Sequence, residues 1–81
     1  MTKVTYSRLE EVLRSLGFSL RAVKEKNKVY HHEGTGALVV FPEFPPDDPV
    51  LPCHLLAARS ILQAYGIADP ADFTTQLQKA N

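Results

Sequence analysis

The sequence lacks a second cysteine for a disulfide and an apolar segment long enough to enter a membrane. Its 81 residues include one cysteine, Cys53, so no internal disulfide can form, and a reducing cytoplasm is the expected location. The longest near-apolar run, residues 37–41, is far too short to cross a bilayer. The first residues also lack the apolar stretch of a secretory signal. We therefore expect a cytoplasmic protein that makes no membrane contact.

The formal net charge of the chain is zero, which argues against one class of partner, nucleic acid bound non-specifically. Nine Lys and Arg side chains balance nine Asp and Glu side chains, whereas strong non-specific binding of nucleic acid needs a basic excess. The charge is unevenly placed, because residues 1–32 hold seven cations and three acids, a net +4, and residues 33–81 a net −4. Either the fold separates a basic patch from an acidic one, which would favour self-association, or it intermixes them.

The residues that are present predict one domain over residues 1–81, and its first element is a helix over residues 7–16. Four apolar residues follow the i, i+3, i+4, i+7 spacing of one helical face: Leu9, Val12, Leu13 and Leu16. Ser7 and Glu10 have the spacing of a capping box at the helix start. Gly17 stands where a left-handed C-terminal cap is needed.

Three short strands follow the helix. Residues 18–23 alternate apolar and polar side chains, which predicts a half-buried strand, and residues 28–32 are a β-prone second strand. Residues 37–41 are apolar on both parities and predict a third strand that is central or covered. The polar connections, residues 24–27 and 33–36, are too short for parallel crossovers, so we expect an antiparallel meander.

The last part of the chain predicts a loop and two helices. Residues 42–52 hold five of the six prolines with three acids, an extended acidic loop that either connects two elements, holds a partner or shields the sheet. A second helix begins at Pro52 and ends before Gly66, and a short third helix spans residues 70–79 behind Asp69. The order α-β-β-β-α plus a short helix is an α+β fold, with helices on one sheet face and the other face open.

Several segments share their order and spacing with a known family. They are the amphipathic helix and Gly-Phe turn of residues 6–18, strand 28–32, the apolar strand ending at Pro42, and Ser60-Ile61-Leu62 with Gly66-Ile67. Together they resemble HicA-type proteins, the small toxin components of bacterial toxin–antitoxin pairs, over residues 5–67. The resemblance implies a double-stranded-RNA-binding-like fold, an mRNA interferase (RNA endonuclease) activity, and a partner antitoxin that covers the active site.

The chain departs from the family at the catalytic motif. The family's Gly-Ser-His tripeptide enters the second strand and carries the catalytic histidine. On this chain the tripeptide falls at residues 25–27, Glu-Lys-Asn, so Asn27 stands at the histidine position. An asparagine amide cannot exchange a proton near neutral pH as an imidazole can. The loop 42–52 is also longer than the family's usual link. The resemblance therefore implies the fold, with RNA cleavage weakened or lost.

The candidate RNA contacts lie around the first hairpin. Cations interleaved with an aromatic residue are typical of phosphate clamping combined with base stacking. The candidate residues are Arg21, Lys24, Lys26, Asn27, Lys28 and Tyr30. The alternative is a solvated turn whose lysines protect exposed strand edges.

Two adjacent histidines are the candidates for any surviving acid–base chemistry, His32 first and His31 second. Neighbouring strand residues point to opposite faces, so only one of them can share a face with a given lysine. If Val29 faces the core, His31 does too; if Tyr30 faces the core, the assignment inverts. The alternative is two surface histidines without chemistry.

We expect no metal site and no small-molecule cofactor. The candidate metal ligands are two pairs of neighbouring residues, His31 with His32 and Cys53 with His54. The members of each pair are directly adjacent in sequence, whereas zinc ligands are spaced by two or more residues. Cys53 is expected to be a buried structural thiol.

Two functional hypotheses follow from the sequence. The first is a HicA-like RNA-binding domain whose partners are RNA and an antitoxin-like protein. The second is a non-catalytic protein-interaction module whose partner pairs with a strand edge or covers the open sheet face. The sequence leaves the oligomeric state open.

Overall fold

The fold is known from a computed structural model that describes residues 4–78. The elements follow in the order α1 (Tyr6–Ser15), β1 (Phe18–Lys24), β2 (Asn27–His32), β3 (Leu38–Pro42), α2 (Pro52–Ala64) and α3 (Pro70–Gln78). The strands form one antiparallel sheet in the order β1-β2-β3. The predicted α+β fold is confirmed, and Lys79, the predicted last residue of α3, lies outside the described residues.

One continuous core lies between the sheet and the three helices. The strands contribute Phe18, Tyr30, Val39 and Phe41, and the helices contribute Tyr6, Leu9, Val12, Leu13, Ala58, Leu62, Phe73 and Leu77. Burying each large apolar side chain stabilises the fold by roughly 1.5–3 kcal/mol. Because the helices bring their buried faces to this one side of the sheet, no element of residues 4–78 covers the opposite side.

Helix α1 begins earlier than the sequence predicts, and the predicted capping box is wrong. The N-cap residue is Thr5, whose hydroxyl accepts the Arg8 backbone N–H at 3.2 Å. With the N-cap at Thr5 instead of Ser7, Glu10 turns towards the sheet instead of back towards the helix start. The predicted end is right, since Gly17 has a φ of 100°, a conformation that favours glycine.

The proline-rich segment packs against the start of α1. The backbone N–H groups of Tyr6 and Ser7 donate to the carbonyls of Asp48 and Pro46, at 3.1 and 3.0 Å. The first amides of a helix have no partner within the helix, so these carbonyls complete the cap that Thr5 begins. Phe44 stacks on the Tyr6 ring with centroids 4.8 Å apart. The segment therefore caps a helix and does not shield the open face of the sheet.

Two expectations about the strands are corrected. Strand β3 is an edge strand covered on one face only: Val39 and Phe41 are buried, while Leu38 and Val40 are 44% and 51% exposed. Strand β1 is not half-buried, because Phe18 is its one buried residue and residues 19–24 are all exposed. Both apolar patterns predicted strands correctly but overestimated how much of each strand is covered.

Candidate nucleic-acid interface

The β1–β2 hairpin has a tight two-residue turn. Glu25 and Lys26 form the turn with φ angles of 52° and 66°. Two successive positive φ angles are the mark of a type I′ turn, which matches the twist of the flanking strands and normally takes Asn and Gly. The turn therefore holds two side chains in a left-handed conformation and presents Lys26 at the tip of the hairpin.

Three of the candidate RNA-binding cations are exposed on this hairpin. Arg21, Lys24 and Lys26 are exposed, and none forms an ion pair within residues 4–78. Arg21 lies at the bulge where the β1–β2 register shifts between Leu20 and Ala22. With one acid, Glu25, at the same turn, the hairpin carries a net positive charge that is available to an external anion.

Lys28 belongs to a different environment, although it is close in sequence to the other lysines. Its side chain is 18% exposed, and its Nζ lies 3.0 Å from Oε2 of Glu10 on α1. The ammonium group therefore neutralises a carboxylate that is itself almost buried. Its role in the described structure is to join β2 to α1, and it is not presented to an external phosphate.

Tyr30 lies in the core beside Lys28. Its hydroxyl donates to Oε1 of Glu10, and the Arg14 guanidinium lies 5.9 Å from the ring centroid. Burial raises the pKa of Tyr30, and the hydrogen bond and negative charge of Glu10 raise it further, whereas Arg14 lowers it in part. With no exposed ring surface, Tyr30 cannot stack on a base without opening the core.

The structure brings together Glu10, Arg14, Lys28 and Tyr30, a cluster that the sequence analysis does not predict because it places Glu10 in a helix cap. Glu10 is 8% exposed, and it lies four residues after Tyr6 and three before Leu13, on the apolar face of α1. An acid within an apolar helical stripe is the signal that could have shown a buried carboxylate with cationic and hydroxyl partners.

The two histidines lie on opposite faces of β2. Because Tyr30 faces the core, His32 lies on the helix side, and His31 lies on the open side beside Ser19 and Leu38. His32 packs its ring against Phe18 with centroids 5.1 Å apart. Its Nδ1 accepts the Thr35 backbone N–H at 3.2 Å, so the imidazole holds the β2–β3 turn. His31 is therefore the histidine that shares a face with Lys24.

Asn27 has a local role in the hairpin. Its Nδ2 donates to the backbone carbonyl of Glu25 at 3.3 Å, across the turn. It pairs with Lys24 on one side and Pro42 on the other, so it lies on the open side of the sheet. The amide thus stabilises the turn.

The remaining candidates do not converge on a chemical site. Cys53 is exposed, so the expectation of a buried thiol is wrong. It follows Pro52 in the first turn of α2 and lies on the exposed side of that turn, whereas Leu55 packs against the core. His54 Nδ1 lies 2.8 Å from the Tyr6 hydroxyl, next to Phe44. Within residues 4–78, no three His, Cys, Asp or Glu side chains come close enough to hold a metal ion.

The uncovered side of the sheet, here called the open sheet face, is apolar at its centre. The register places nine residues on it: Ser19, Ala22, Lys24, Asn27, Val29, His31, Leu38, Val40 and Pro42. Ala22, Val29 and Val40 form the central row across the three strands. The hairpin cations Lys24 and Lys26 lie at one end of this face, and the β2–β3 turn lies at the other.

Comparisons with family models, curated proteins and solved structures give no match to this chain. No helix within residues 4–78 is long and apolar enough to cross a membrane. The candidate site therefore consists of two surfaces defined by geometry alone, the basic hairpin and the open sheet face.

Proposed function

We propose that this chain is a HicA-like RNA-binding domain in which RNA cleavage is weakened or lost. The observation that supports the proposal is the β1–β2 hairpin, which carries Arg21, Lys24 and Lys26, exposed and without an ion-pair partner among residues 4–78. The chain also has the α-β-β-β-α order that the resemblance implies. Single positive charges on a projecting hairpin suit contacts to RNA phosphates, which fix position without reading sequence.

In this proposal the hairpin binds phosphates and the adjoining open sheet face touches sugar or base edges. The uncharged polar side chains and the imidazole available there belong to Ser19, Asn27 and His31. Lys28 and Tyr30 are turned into the protein. The weak cleavage follows from Asn27, whose amide has no titrating proton near neutral pH, and from His32, whose Nδ1 is engaged in the β2–β3 turn.

The proposal is tested by fluorescence anisotropy with a short RNA hairpin at several salt concentrations. We expect the double variant Lys24→Ala/Lys26→Ala to bind the RNA at least about tenfold more weakly at low salt. The slope of the logarithm of the association constant against the logarithm of the salt concentration should become less negative by about 1.4, because two phosphate contacts are lost. Arg59→Ala is the matched control, because Arg59 is an exposed cation on α2. RNA run on a gel after each titration reports cleavage.

The two variants separate the outcomes clearly. Equal affinity in the double variant and the wild type would overturn the hairpin assignment, and equal losses in the double variant and Arg59→Ala would show attraction by overall charge alone. If the wild type cleaves the RNA and either His31→Ala or His32→Ala does not, the proposal that cleavage is weakened or lost would be overturned. The variant that loses cleavage would then identify the acid–base group.

A second candidate is a non-catalytic protein-interaction module whose partner covers the open sheet face or pairs with a strand edge. It is favoured by the exposed apolar side chains of the open sheet face, Leu38 and Val40 above all, because large apolar groups that lie together on a surface mark interaction sites. A neighbouring gene for a small antitoxin-like protein would favour the toxin-type function, and its absence together with no RNA affinity would favour the stand-alone module.

A further inference from the structure

The aromatic rings of the sheet all face the helices. Phe18, Tyr30 and Phe41 are the Phe and Tyr residues of the three strands, and each is at most 3% exposed. Tyr65, whose ring is half-exposed, lies at the C-cap of α2 in the helix layer. Within residues 4–78, the open sheet face therefore presents no Phe or Tyr ring, and the imidazole of His31 is its one ring system.

This distribution of rings bears on which form of RNA the surface can hold. Proteins bind unpaired RNA chiefly by stacking its bases on aromatic side chains or on Arg guanidinium planes. His31 and Arg21 are the two side chains of this surface that could serve in that way. Base-paired RNA is recognised differently, through its phosphates and the 2′-hydroxyls of a wide, shallow minor groove. Such a ligand requires cations and small hydrogen-bonding groups instead of a row of rings.

We propose that the RNA bound by this protein is base-paired, with the β1–β2 hairpin on its phosphates and the open sheet face on its 2′-hydroxyl groups. This inference rests on the proposed function and names the substrate class of the same surface. The groups assigned to the 2′-hydroxyls are the Ser19 hydroxyl and the His31 imidazole. They belong to residues that lie directly opposite each other on β1 and β2, and each can donate or accept a hydrogen bond, as a 2′-hydroxyl can.

The distance between the two kinds of contact also favours a rigid ligand. Ser19 and Lys24 lie near opposite ends of β1, roughly 15 Å apart at the rise of an extended strand. A duplex holds its phosphates and 2′-hydroxyls at fixed positions over such a distance. A flexible single strand would have to be ordered to meet both groups, and that ordering weakens binding.

The small charge of the hairpin favours a ligand of high charge density. Arg21, Lys24 and Lys26 are balanced in part by Glu25 and by Glu43, whose backbone N–H donates to the Lys26 carbonyl at 2.7 Å. These five residues leave a net charge of +1. A duplex carries more phosphate charge per unit length than a single strand and releases more counterions for each contact. The same three cations therefore attract a duplex more strongly.

Fluorescence anisotropy at low salt tests the proposal with three probes of one sequence. The probes are a short blunt-ended RNA duplex, one strand of that duplex alone, and the DNA duplex of the same sequence. The single strand is chosen without self-complementary segments, so that it stays unpaired. We expect the RNA duplex to bind at least about tenfold more tightly than the single strand. It should bind at least about threefold more tightly than the DNA duplex, which lacks the 2′-hydroxyls.

The double variant Ser19→Ala/His31→Ala tests the contacts to the 2′-hydroxyls. It should bind the RNA duplex at least about threefold more weakly and leave the affinity for the DNA duplex unchanged, because the DNA has no 2′-hydroxyl to lose. Ser60→Ala/Gln63→Ala is the matched control, since it removes two polar side chains from exposed positions on α2. It should leave the affinity for every probe unchanged, and circular dichroism reports whether both variants keep the fold.

The outcomes separate this inference from the proposed function. A single strand that binds as tightly as the RNA duplex would overturn the base-paired assignment and leave RNA binding standing. A DNA duplex that binds as tightly as the RNA duplex, or equal losses in the two double variants, would overturn the contacts between the open sheet face and the 2′-hydroxyls. The absence of binding to both RNA probes would overturn the proposed function, and this inference with it.

Discussion

Strand β2 presents two sets of side chains that alternate along its six residues but have different surroundings. The residues on the helix side are Lys28, Tyr30 and His32, and those on the open side are Asn27, Val29 and His31. On the helix side, each polar group has a partner within the protein. On the open side, Val29 and His31 are only partly covered, and none of the helices described between residues 4 and 78 packs over them.

The contrast teaches that the role of a lysine or histidine here depends on its strand parity more than on its residue type. Lys28 neutralises a carboxylate on α1, whereas Lys24 has no acid partner within the described residues. His32 holds a turn, whereas His31 faces outwards beside Leu38. The helix side therefore stabilises the fold, and the open side with its hairpin is where we place function.

Removing the acid of the helix-side cluster should have the largest effect on stability. Glu10→Ala leaves the Lys28 ammonium and the Tyr30 hydroxyl without their partner in a nearly buried site. We expect the free energy of unfolding in urea to fall by about 2–4 kcal/mol, because an unpaired buried charge is costly.

Glu11→Ala is the matched control for Glu10→Ala. Glu11 is the next residue on the same helix, but it is exposed and forms a surface ion pair with Arg8 at 3.4 Å. Its loss should change the unfolding free energy by less than about 0.5 kcal/mol. Equal effects of the two variants would contradict the contrast between the two sides.

The Tyr30 hydroxyl should make the stability of the protein depend on pH in the alkaline range. Tyr30→Phe should cost about 1–2 kcal/mol near neutral pH, since Glu10 loses a donor. The pKa of Tyr30 is raised in the folded protein, whereas the unfolded chain releases this proton near pH 10. Its stabilising contribution is therefore complete below about pH 10 and declines as the pH rises further.

The measurement is the difference in unfolding free energy between wild type and Tyr30→Phe as a function of pH. We expect a constant difference below about pH 9 and a narrowing one above about pH 10, by up to about 1.4 kcal/mol per pH unit. Tyr65→Phe, which removes the hydroxyl of a half-exposed ring at the C-cap of α2, is the control. A difference that widens above pH 10 would refute the sign of the linkage.

Substitutions at the β1–β2 hairpin turn should have the smallest effect on stability. Lys26→Gly should stabilise the protein by about 1 kcal/mol, because a φ of 66° is strained for lysine and free for glycine. Lys24→Gly is the matched control with the opposite sign. It removes the same type of side chain from extended strand β1, where glycine is less favourable than lysine. Thermal unfolding compares the two variants.

The periodicities in the sequence predicted the helices and strands closely, and the errors have physical reasons. Both Val29 and Tyr30 are apolar enough to face a core, so the sequence could not decide the parity of β2. Leu38 and Val40 made β3 resemble a covered strand, because an uncovered apolar face has the same pattern as a buried one. Thr5 and the carbonyls of the proline-rich segment cap α1 through contacts between distant residues, which local spacing does not show.

The candidate site was predictable in part. The basic hairpin was evident from its lysines, but the separation of Lys28 from Lys24 and Lys26 required the parity of β2 and the position of Glu10. The type I′ turn at Glu25 and Lys26 could not be foreseen, since neither residue favours a positive φ. The open sheet face was predicted as a consequence of the fold order, while its apolar centre became clear only from the register.

The most direct test of the account is an amide titration by NMR of the protein with a short structured RNA at low salt. We predict shifts confined to residues 21–27 and the adjoining open sheet face, with the amides of α1 and α2 unmoved and the RNA intact. The absence of shifts at saturating RNA, or shifts centred on α1 and the Glu10 cluster, would contradict the assignment of function to the open side of the sheet.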